Sequence, residues 1–337
     1  MATEKRNLLK GDFSKKNALL FALAVLVTIV LWNLPTSSFG IEGLTVIQQR
    51  IIAVFALATI LWVTEAISPW ATSVSLIGLL LFTTSDNAFH FFRSGIEKEE
   101  LLDHSALMAT FADPTIILFL GGFILAIAAT KSGLDVLLAR TLLKPFGNKS
   151  ENVLLGFILI TGVFSMFVSN TATAAMMLTF LAPVFKALPP EGKGRVALTL
   201  SIPVAANIGG MGTPIGTPPN AIALKYLNSP TGLNLGIGFG EWMMYMLPLT
   251  VILLLIGWFL LKKFFPFKKK TIELEIEGEV QHNWRTMVVA GTFIVTVLLW
   301  ICDRWTGVGA NTVAMVPIVV FAFTGVIKAR DLEEINW

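Results

Sequence analysis

Residues 169–177 read SNTATAAMM, and they lie in the middle of an apolar stretch, residues 152–188, that contains no charge before Lys186. The stretch is too long for one helix across a hydrocarbon core of ~30 Å. It is too short for two full spans of ~20 residues each joined by a turn. We therefore predict a re-entrant helical hairpin over residues 151–188, with its tip at the polar triplet Ser169, Asn170 and Thr171 and its helices over residues 152–168 and 172–188.

The composition indicates a membrane protein. Of the 337 residues, 55% are hydrophobic and 14% are charged, and the apolar residues come in runs of nearly membrane-spanning length. The predicted fold class is an all-α polytopic membrane protein. A single cysteine, Cys302, excludes an intramolecular disulfide and a thiolate metal cluster. Beside the hairpin, the predicted segments are an N-terminus (1–16), scaffold helices (17–84), a loop (85–113), a span plus interfacial helix (114–150), a broken helix (196–228), a span (240–262), a loop (263–283) and further spans (284–337).

The basic residues predict the orientation. They cluster in short loops over residues 131–149, 186–195 and 262–270. Because cytoplasmic loops carry an excess of Lys and Arg, we expect a cytoplasmic N-terminus, an extracytoplasmic loop at 85–113 and a cytoplasmic loop at 263–283. The expected location is the plasma membrane, which in a bacterium is the inner membrane. No small-residue cleavage site follows the first apolar run, so we predict an uncleaved first span.

A second interruption falls within the predicted broken helix, where residues 209–220 read GGMGTPIGTPPN. Each proline removes a backbone donor and clashes with the preceding helical turn, so the helix must unwind there. Non-helical backbone at membrane depth is tolerated only where it is buried in protein or lines a watery cavity. Two breaks so close in sequence predict one shared cavity.

The ends of broken helices suit ions of both signs. The amides and hydroxyls of Ser169, Asn170 and Thr171, near a helix N-terminus, suit a carboxylate or another oxyanion. Carbonyl groups at the end of the preceding helix, with Ser165, Ser169 and Asn170, suit a small hard cation. No Arg or Lys occurs between residues 152 and 185 or between 196 and 224, so a co-bound cation would offset the charge of the anion.

Structural interpretations compete with this hypothesis. Ser and Thr in membrane helices often only join helices, and the Gly-Pro stretch could be a plain kink. Glu65 fits a solvated or capping carboxylate and is left out of the site. An enzyme is not expected, because Ser169 has no activating base: His90, His104 and His282 lie outside the spans. Neither residues 210–212 nor residues 147–150 have the spacing of a nucleotide-binding loop, and neither an organic cofactor nor a nucleic-acid partner is expected.

Three segments carry a family resemblance. SNTATAAMM, GTPIGTPPN (residues 212–220) and WVTEAISPWATS (residues 62–73) resemble motifs of the divalent anion:sodium symporter family, the sodium-coupled dicarboxylate and citrate carriers. The resemblance implies two inverted repeats, each with a re-entrant hairpin and a broken helix, and a homodimer that works by an elevator-type movement. It also implies that Ser169, Asn170 and Thr171 contact a substrate carboxylate, beside Thr217 and Pro218, and that sodium is bound by Ser165, Ser169, Asn170 and Gly216.

The sequence contains one copy of each motif and ends with DLEEINW, residues 331–337. By the resemblance, residues 284–337 begin a second inverted repeat that is incomplete, and the chain corresponds to the first two-thirds to three-quarters of a family member. We expect sodium-coupled symport of C4-dicarboxylates such as succinate, malate and fumarate, with sodium as the coupling ion, by a protein of which this N-terminal portion is inactive alone. The alternatives are a sodium-independent anion exchanger, a sulfate carrier of the same fold, and a non-transporting membrane scaffold.

Overall fold

The computed structural model describes residues 14–186, 188, 189, 192–272 and 283–335, and the regular secondary structure in those ranges is helical. The predicted cytoplasmic N-terminus lies almost wholly outside the described residues, as do residues 273–282 of the predicted loop over 263–283, which include His282. The chain divides into two compact units, Met1–Asp113 and Pro114–Trp337.

The described part of the first unit, from residue 14 onward, contains five α-helices: α1 (Lys15–Asn33), α2 (Val46–Thr64), α3 (Pro69–Thr84), α4 (His90–Arg93) and α5 (His104–Ala109). Short 3-10 helices cover Thr36–Phe39, Lys98–Glu100 and Thr110–Ala112. Two helix starts follow from local sequence. Thr45 and Gln48 form a reciprocal capping box at α2, and Pro69 occupies the first turn of α3. Glu65 is the C-cap residue that follows α2, and its backbone has the left-handed conformation, with φ 48°.

Two polar side chains of α2 connect the helices of this unit. Gln49, which is buried, donates from Nε2 to carbonyl groups at the end of α1, including that of Leu34 at 2.6 Å. Arg50 donates from Nη1 to the carbonyl oxygens of Thr83 (3.0 Å) and Phe92 (2.7 Å). Both side chains satisfy carbonyl groups that a helix end or loop leaves without a main-chain donor.

The second unit contains α6 (Pro114–Ser132), α7 (Leu134–Leu143), α8 (Ser150–Ser165), α9 (Asn170–Lys186), α10 (Lys193–Gly210), α11 (Pro218–Asn228), α12 (Phe239–Phe264), α13 (Trp284–Ile301), α14 (Asp303–Thr306), α15 (Ala310–Val313) and α16 (Met315–Thr324). Short 3-10 helices cover Lys144–Phe146 and Ala329–Glu334. The predicted interfacial helix is α7. Within the predicted spans over 284–337, the apolar run that begins at residue 310 is divided between α15 and α16, which are separated by Ala314.

Two hydrophobic cores organise this unit. The first core joins α8, α9, α10 and α12 around the fully buried Phe157, Leu181 and Leu198. The second joins α6, α13 and α16 around Leu125, Trp300 and Phe321. Because apolar surface in a membrane gains little from leaving lipid, such cores depend on close packing.

Five helical stretches of the described residues are long and apolar enough to cross a membrane: Lys15–Asn33, Val46–Thr64, His104–Ser132, Phe239–Phe264 and Trp284–Ile301. Three shorter apolar stretches, Pro69–Thr84, Ser150–Ser165 and Ala310–Thr324, accompany them. The prediction of an all-α polytopic membrane protein is therefore confirmed.

Candidate functional site

A turn of four residues, Met166–Ser169, interrupts the apolar stretch between α8 and α9. The turn therefore begins earlier than predicted, and Asn170 and Thr171 belong to the first turn of α9. The reason is local capping: the carbonyl oxygen of Ser169 accepts from the amide of Thr173 at 2.9 Å, and its Oγ accepts from the amide of Ala172 at 3.3 Å. Serine at this position starts a helix better than it forms a loop.

Behind the turn, Ser165 and Asn170 connect the two helices to α10. The Oγ of Ser165, a fully buried residue, lies 2.7 Å from Asn170 Oδ1 and 2.7 Å from the carbonyl oxygen of Ala206. Asn170 Nδ2 donates to Asn207 Oδ1 at 3.1 Å. The ends of both hairpin helices are thus joined to the last turn of α10 through uncharged polar groups.

The second interruption, Met211–Thr217, separates α10 from α11. Thr213 Oγ1 donates to the carbonyl oxygen of Met166 in the hairpin turn, and it accepts from the amide of Gly216 at 3.1 Å. Asn220 Nδ2 donates at 2.8 Å to the carbonyl oxygens of Gly210 and Thr213. Thr213 therefore connects the two breaks directly.

Glycine allows such close approaches at three positions. A Cβ atom on Gly210 would lie 2.5 Å from Asn170 Oδ1, and one on Gly209 would collide with the carbonyl oxygen of Gly162 in α8. A Cβ on Gly216 would collide with the carbonyl oxygen of Gly210. Larger side chains at these positions would force the hairpin away from α10.

The structure thus brings together Ser165, Asn170 and the segment containing Gly216, three of the four positions predicted for sodium. The described hydrogen bonds of Ser169 and Thr217 are local: the carbonyl oxygen of Thr217 accepts from the amide of Asn220 at 3.1 Å. Thr171 and Pro218 are exposed, and Pro218 occupies the first turn of α11.

Sequence reasoning missed Asn207, Thr213 and Asn220 as members of this cluster. The signal for Thr213 was present, because Gly-Thr-Pro occurs twice, at residues 212–214 and 216–218. Asn220 stood at the end of the quoted GTPIGTPPN motif. Asn207 had no signal, since a lone asparagine two residues before a glycine pair does not reveal which helix it faces.

The arrangement offers two kinds of ligand group. Oxygen atoms of Ser165, Asn170 and Ala206 form a compact uncharged cluster of the kind that hard cations prefer. The N-terminus of α9 carries main-chain amides without helical partners, which suit anions, whereas α11 begins with Pro218 and Pro219, which have no amide hydrogen.

Comparisons with known proteins agree with this architecture. Residues 59–337 match the model of the citrate transporter family. The chain is 28% identical over 98% of its length to the "Sodium-dependent dicarboxylate transporter SdcS" of Staphylococcus saprophyticus, of which it covers 68%. It is 30% identical over 82% of its length to the protein of the same name from Staphylococcus aureus, of which it covers 55%.

A third relative is the "Inorganic phosphate transporter PHO87" of Saccharomyces cerevisiae, with 27% identity over 96% of the chain. The chain spans only 34% of the length of that yeast protein. The family and these relatives are named as transporters, which supports the prediction that the chain is not an enzyme. With several apolar helices long enough to cross a membrane and a family match over most of its length, the chain is an integral membrane protein of the citrate transporter family, of the divalent anion:sodium symporter type.

Proposed function

We propose that the whole protein is a secondary active transporter that carries C4-dicarboxylates such as succinate, malate and fumarate together with sodium. The observation that carries this proposal is the meeting of the two helix breaks through Thr213, with the uncharged oxygen cluster of Ser165 and Asn170 beside them. The printed names of the staphylococcal relatives support the same substrate class and ion.

Sodium is assigned to Ser165, Ser169, Asn170 and Gly216. A serine hydroxyl has one hydrogen, yet Ser165 Oγ lies 2.7 Å from two acceptors, Asn170 Oδ1 and the carbonyl oxygen of Ala206. Whichever acceptor receives the hydrogen, the other oxygen retains a free lone pair directed at Ser165. A cation inserted among these oxygens would use that lone pair.

The dicarboxylate is assigned to Ser169, Asn170, Thr171, Thr217 and Pro218. The first three begin α9, whose free main-chain amides are available to an anion, whereas the last two begin α11, where the Thr217 hydroxyl is a donor but Pro218 and Pro219 have no amide hydrogen. Since the sequence supplies no Lys or Arg between residues 152 and 185, sodium would be the main positive charge near the bound dianion. This gives a physical reason for coupling, because the anion alone would be costly to desolvate.

The proposed transport domain includes the re-entrant hairpin formed by α8 and α9. At 1.5 Å per residue the 16 residues of α8 span about 24 Å, which is less than a hydrocarbon core of ~30 Å. A pair of such helices joined by a four-residue turn would enter the membrane and leave it on the same side. We further propose that α13 to α16 open a second inverted repeat, that the protein is a homodimer with a cytoplasmic N-terminus in the plasma membrane, and that transport is of the elevator type.

The test is uptake of radiolabelled succinate into proteoliposomes that contain the full-length protein, with inward gradients of sodium or of choline. We expect uptake only with sodium, and we expect Asn170→Ala to reduce it by about 10- to 100-fold, the equivalent of hydrogen bonds to a charged ligand. Asn33→Ala is the matched control, since Asn33 donates only to the carbonyl oxygen of Ile29 at the end of α1. Sodium-independent uptake, or full activity of Asn170→Ala, would refute the proposal.

A phosphate carrier is the second candidate, because the yeast relative is named as a phosphate transporter. Helix N-termini bind phosphate as readily as carboxylate, so the geometry accommodates both. Competition of unlabelled phosphate, sulfate, citrate and succinate in the same uptake assay discriminates these substrates. Loading the vesicles with an anion while omitting sodium tests exchange, and the 337-residue chain assayed alone tests the non-transporting scaffold.

A further inference from the structure

A cavity of about 410 Å³ lies beside the hairpin, separate from the cluster at its turn. Phe164 and Phe167 of the hairpin line one side, and Ala126 of α6 and Leu138 of α7 line another. Phe293 of α13 completes the wall and meets Phe167 edge to face, with ring centroids 5.8 Å apart. The volume of the cavity and its apolar lining are typical of a site for a small molecule.

The cavity adjoins both hydrophobic cores of the second unit. Phe164 and Met176 pack against the core of α8, α9, α10 and α12, whereas Leu134 and Phe293 belong to or pack against the core of α6, α13 and α16. A molecule bound there would contact both cores at once. It would therefore resist any movement of the hairpin relative to α6 and α7.

One buried charged group faces this apolar space. Asp135, in the first turn of α7, is only 6% exposed, and its carboxylate accepts from the amide of Val136 at 2.7 Å and from the hydroxyl of Thr130. Glu334 provides a second carboxylate to the lining. Among the described residues that line the cavity none is Lys, Arg or His.

Two basic residues of an adjoining cavity lie beside another carboxylate, that of Asp331. An adjoining cavity shares Thr130 and Glu334 with the first and contains Lys131 and Arg330. Lys131 Nζ lies 2.5 Å from Asp331 Oδ2 and 3.0 Å from the carbonyl oxygen of Val326, so its charge is already paired. The polar end of the apolar cavity thus has two carboxylates and no lining counter-ion among the described residues.

We propose that this cavity binds an arylalkylamine, with its ammonium group on the carboxylate of Asp135 and its aromatic tail among Phe164, Phe167 and Phe293. An ammonium donor makes charge-assisted hydrogen bonds to the carboxylate, and the phenyl faces attract a cation further. An organic anion would meet two like charges. This site goes beyond the proposed anion transport, because it contains none of the residues assigned to sodium or dicarboxylate.

The pH dependence follows from the burial of Asp135. Burial raises the pKa of this carboxyl above its ordinary value, and the hydrogen bonds from Val136, Thr130 and its own backbone offset the rise only in part. The ammonium pairs best with the ionised form. Amine binding therefore strengthens as pH rises through the titration of Asp135, whereas binding of a neutral analogue is unaffected. The other charged residues that line the two cavities at this end of α6 and α7 are Glu334, Lys131, Arg330, Asp331 and Glu333.

The test uses the full chain in lipid nanodiscs, without sodium or dicarboxylate, and measures binding by calorimetry. The probes are 3-phenylpropylamine, 3-phenylpropan-1-ol and 3-phenylpropanoate, which share a tail and differ in the charge of the head. For the amine we expect a dissociation constant on the order of 0.1 mM, from the efficiency typical of small ligands. The alcohol should bind about tenfold more weakly and the carboxylate not measurably.

Variants locate the site. Asp135→Asn should weaken the amine about tenfold and leave the alcohol within twofold, whereas Glu100→Gln, which removes an exposed carboxylate outside the lining, should change neither. Ala126→Phe should fill the cavity and abolish binding of both amine and alcohol. Equal binding of all three probes, or amine binding unaffected by Asp135→Asn, would overturn the proposal. Because no transport is measured, this result stands or fails independently of the proposed symport.

Discussion

Gly210→Ala is the sharpest test of the contact between hairpin and helix break. Gly210 is the last residue of α10, and a Cβ atom there would lie 2.5 Å from Asn170 Oδ1 and 3.3 Å from both Cγ and Nδ2 of the same side chain. An ordinary contact needs ~3.4 Å, so the Asn170 oxygen must move by roughly 0.9 Å. That movement is large enough to break its 2.7 Å contact with Ser165 and to disturb the bond to Asn207.

The expected cost is the difference of two effects. Losing one or two side-chain hydrogen bonds and displacing the Asn170 rotamer costs about 1–3 kcal/mol. Alanine favours a helix over glycine by up to ~1 kcal/mol, which offsets part of that cost. We therefore expect a net loss of about 1–2 kcal/mol, visible as a lower melting temperature in detergent.

A functional loss should accompany the loss of stability. If Asn170 binds sodium as proposed, adding sodium in place of choline should raise the melting temperature of the wild type. In Gly210→Ala it should produce little or no rise, because a misplacement near 1 Å can remove most of a site's affinity. Sodium-coupled uptake by the full-length variant should fall by at least tenfold.

Gly122→Ala is the matched control. Gly122 is also a buried helical glycine, in α6, but a Cβ atom there meets no heavy atom within 4 Å. It should be neutral or stabilising by up to ~1 kcal/mol, as alanine is in a helix. If Gly210→Ala behaves like Gly122→Ala in both assays, the close approach of Asn170 to α10 is wrong.

Two further substitutions test neighbouring contacts. Thr213→Val keeps the shape of a buried side chain but leaves the carbonyl oxygen of Met166 without its donor, so we expect a loss of about 1–3 kcal/mol in thermal unfolding, with Thr141→Val, at an exposed position, nearly silent. Lys131→Met removes the partner that holds the pKa of Asp331 below its ordinary value. Because a lowered carboxyl pKa stabilises the fold above its unfolded pKa of about 3.9 and this stability is lost as pH falls through the lower folded pKa, the melting temperatures of variant and wild type should differ most above that value and converge only as the pH falls below it. A constant difference across that range would contradict the assigned pairing.

The helices and their order could be predicted from the sequence because apolar run length and proline position constrain them strongly. Pro218 and Pro219 predicted a break in the helix, and in the structure they begin α11, where a missing amide hydrogen is tolerated. The start of α9 was placed too late, because Ser169 and Asn170 read equally well as a loop and as a helix start. Only the bond between Ser169 and the amide of Ala172 decides between them.

Partners across the fold could not be predicted in the same way. Nothing in the sequence pairs Ser165 with the carbonyl group of Ala206, because such a contact depends on how closely α8 and α10 approach. That approach depends in turn on Gly162 and Gly209, whose meeting is a property of the packed structure. The cavity beside Asp135 was missed for the same reason, since its walls come from five separate α-helices, the hairpin turn and the 3-10 helix Ala329–Glu334.

The two breaks also explain each other energetically. A broken helix leaves carbonyl groups without main-chain donors, and each such group in an apolar environment costs several kcal/mol if unpaired. Here Thr213 donates to Met166 in the other break, Asn220 donates to Gly210 and Thr213, and Trp242 donates from Nε1 to Met211 at 3.2 Å. The hairpin turn would not be tolerated in isolation, because the donor for the carbonyl oxygen of Met166 comes from the helix break. A change that separates them should therefore destabilise both together. A substitution at Thr213 or Gly210 that weakens the proposed ion binding should also lower the stability of the fold.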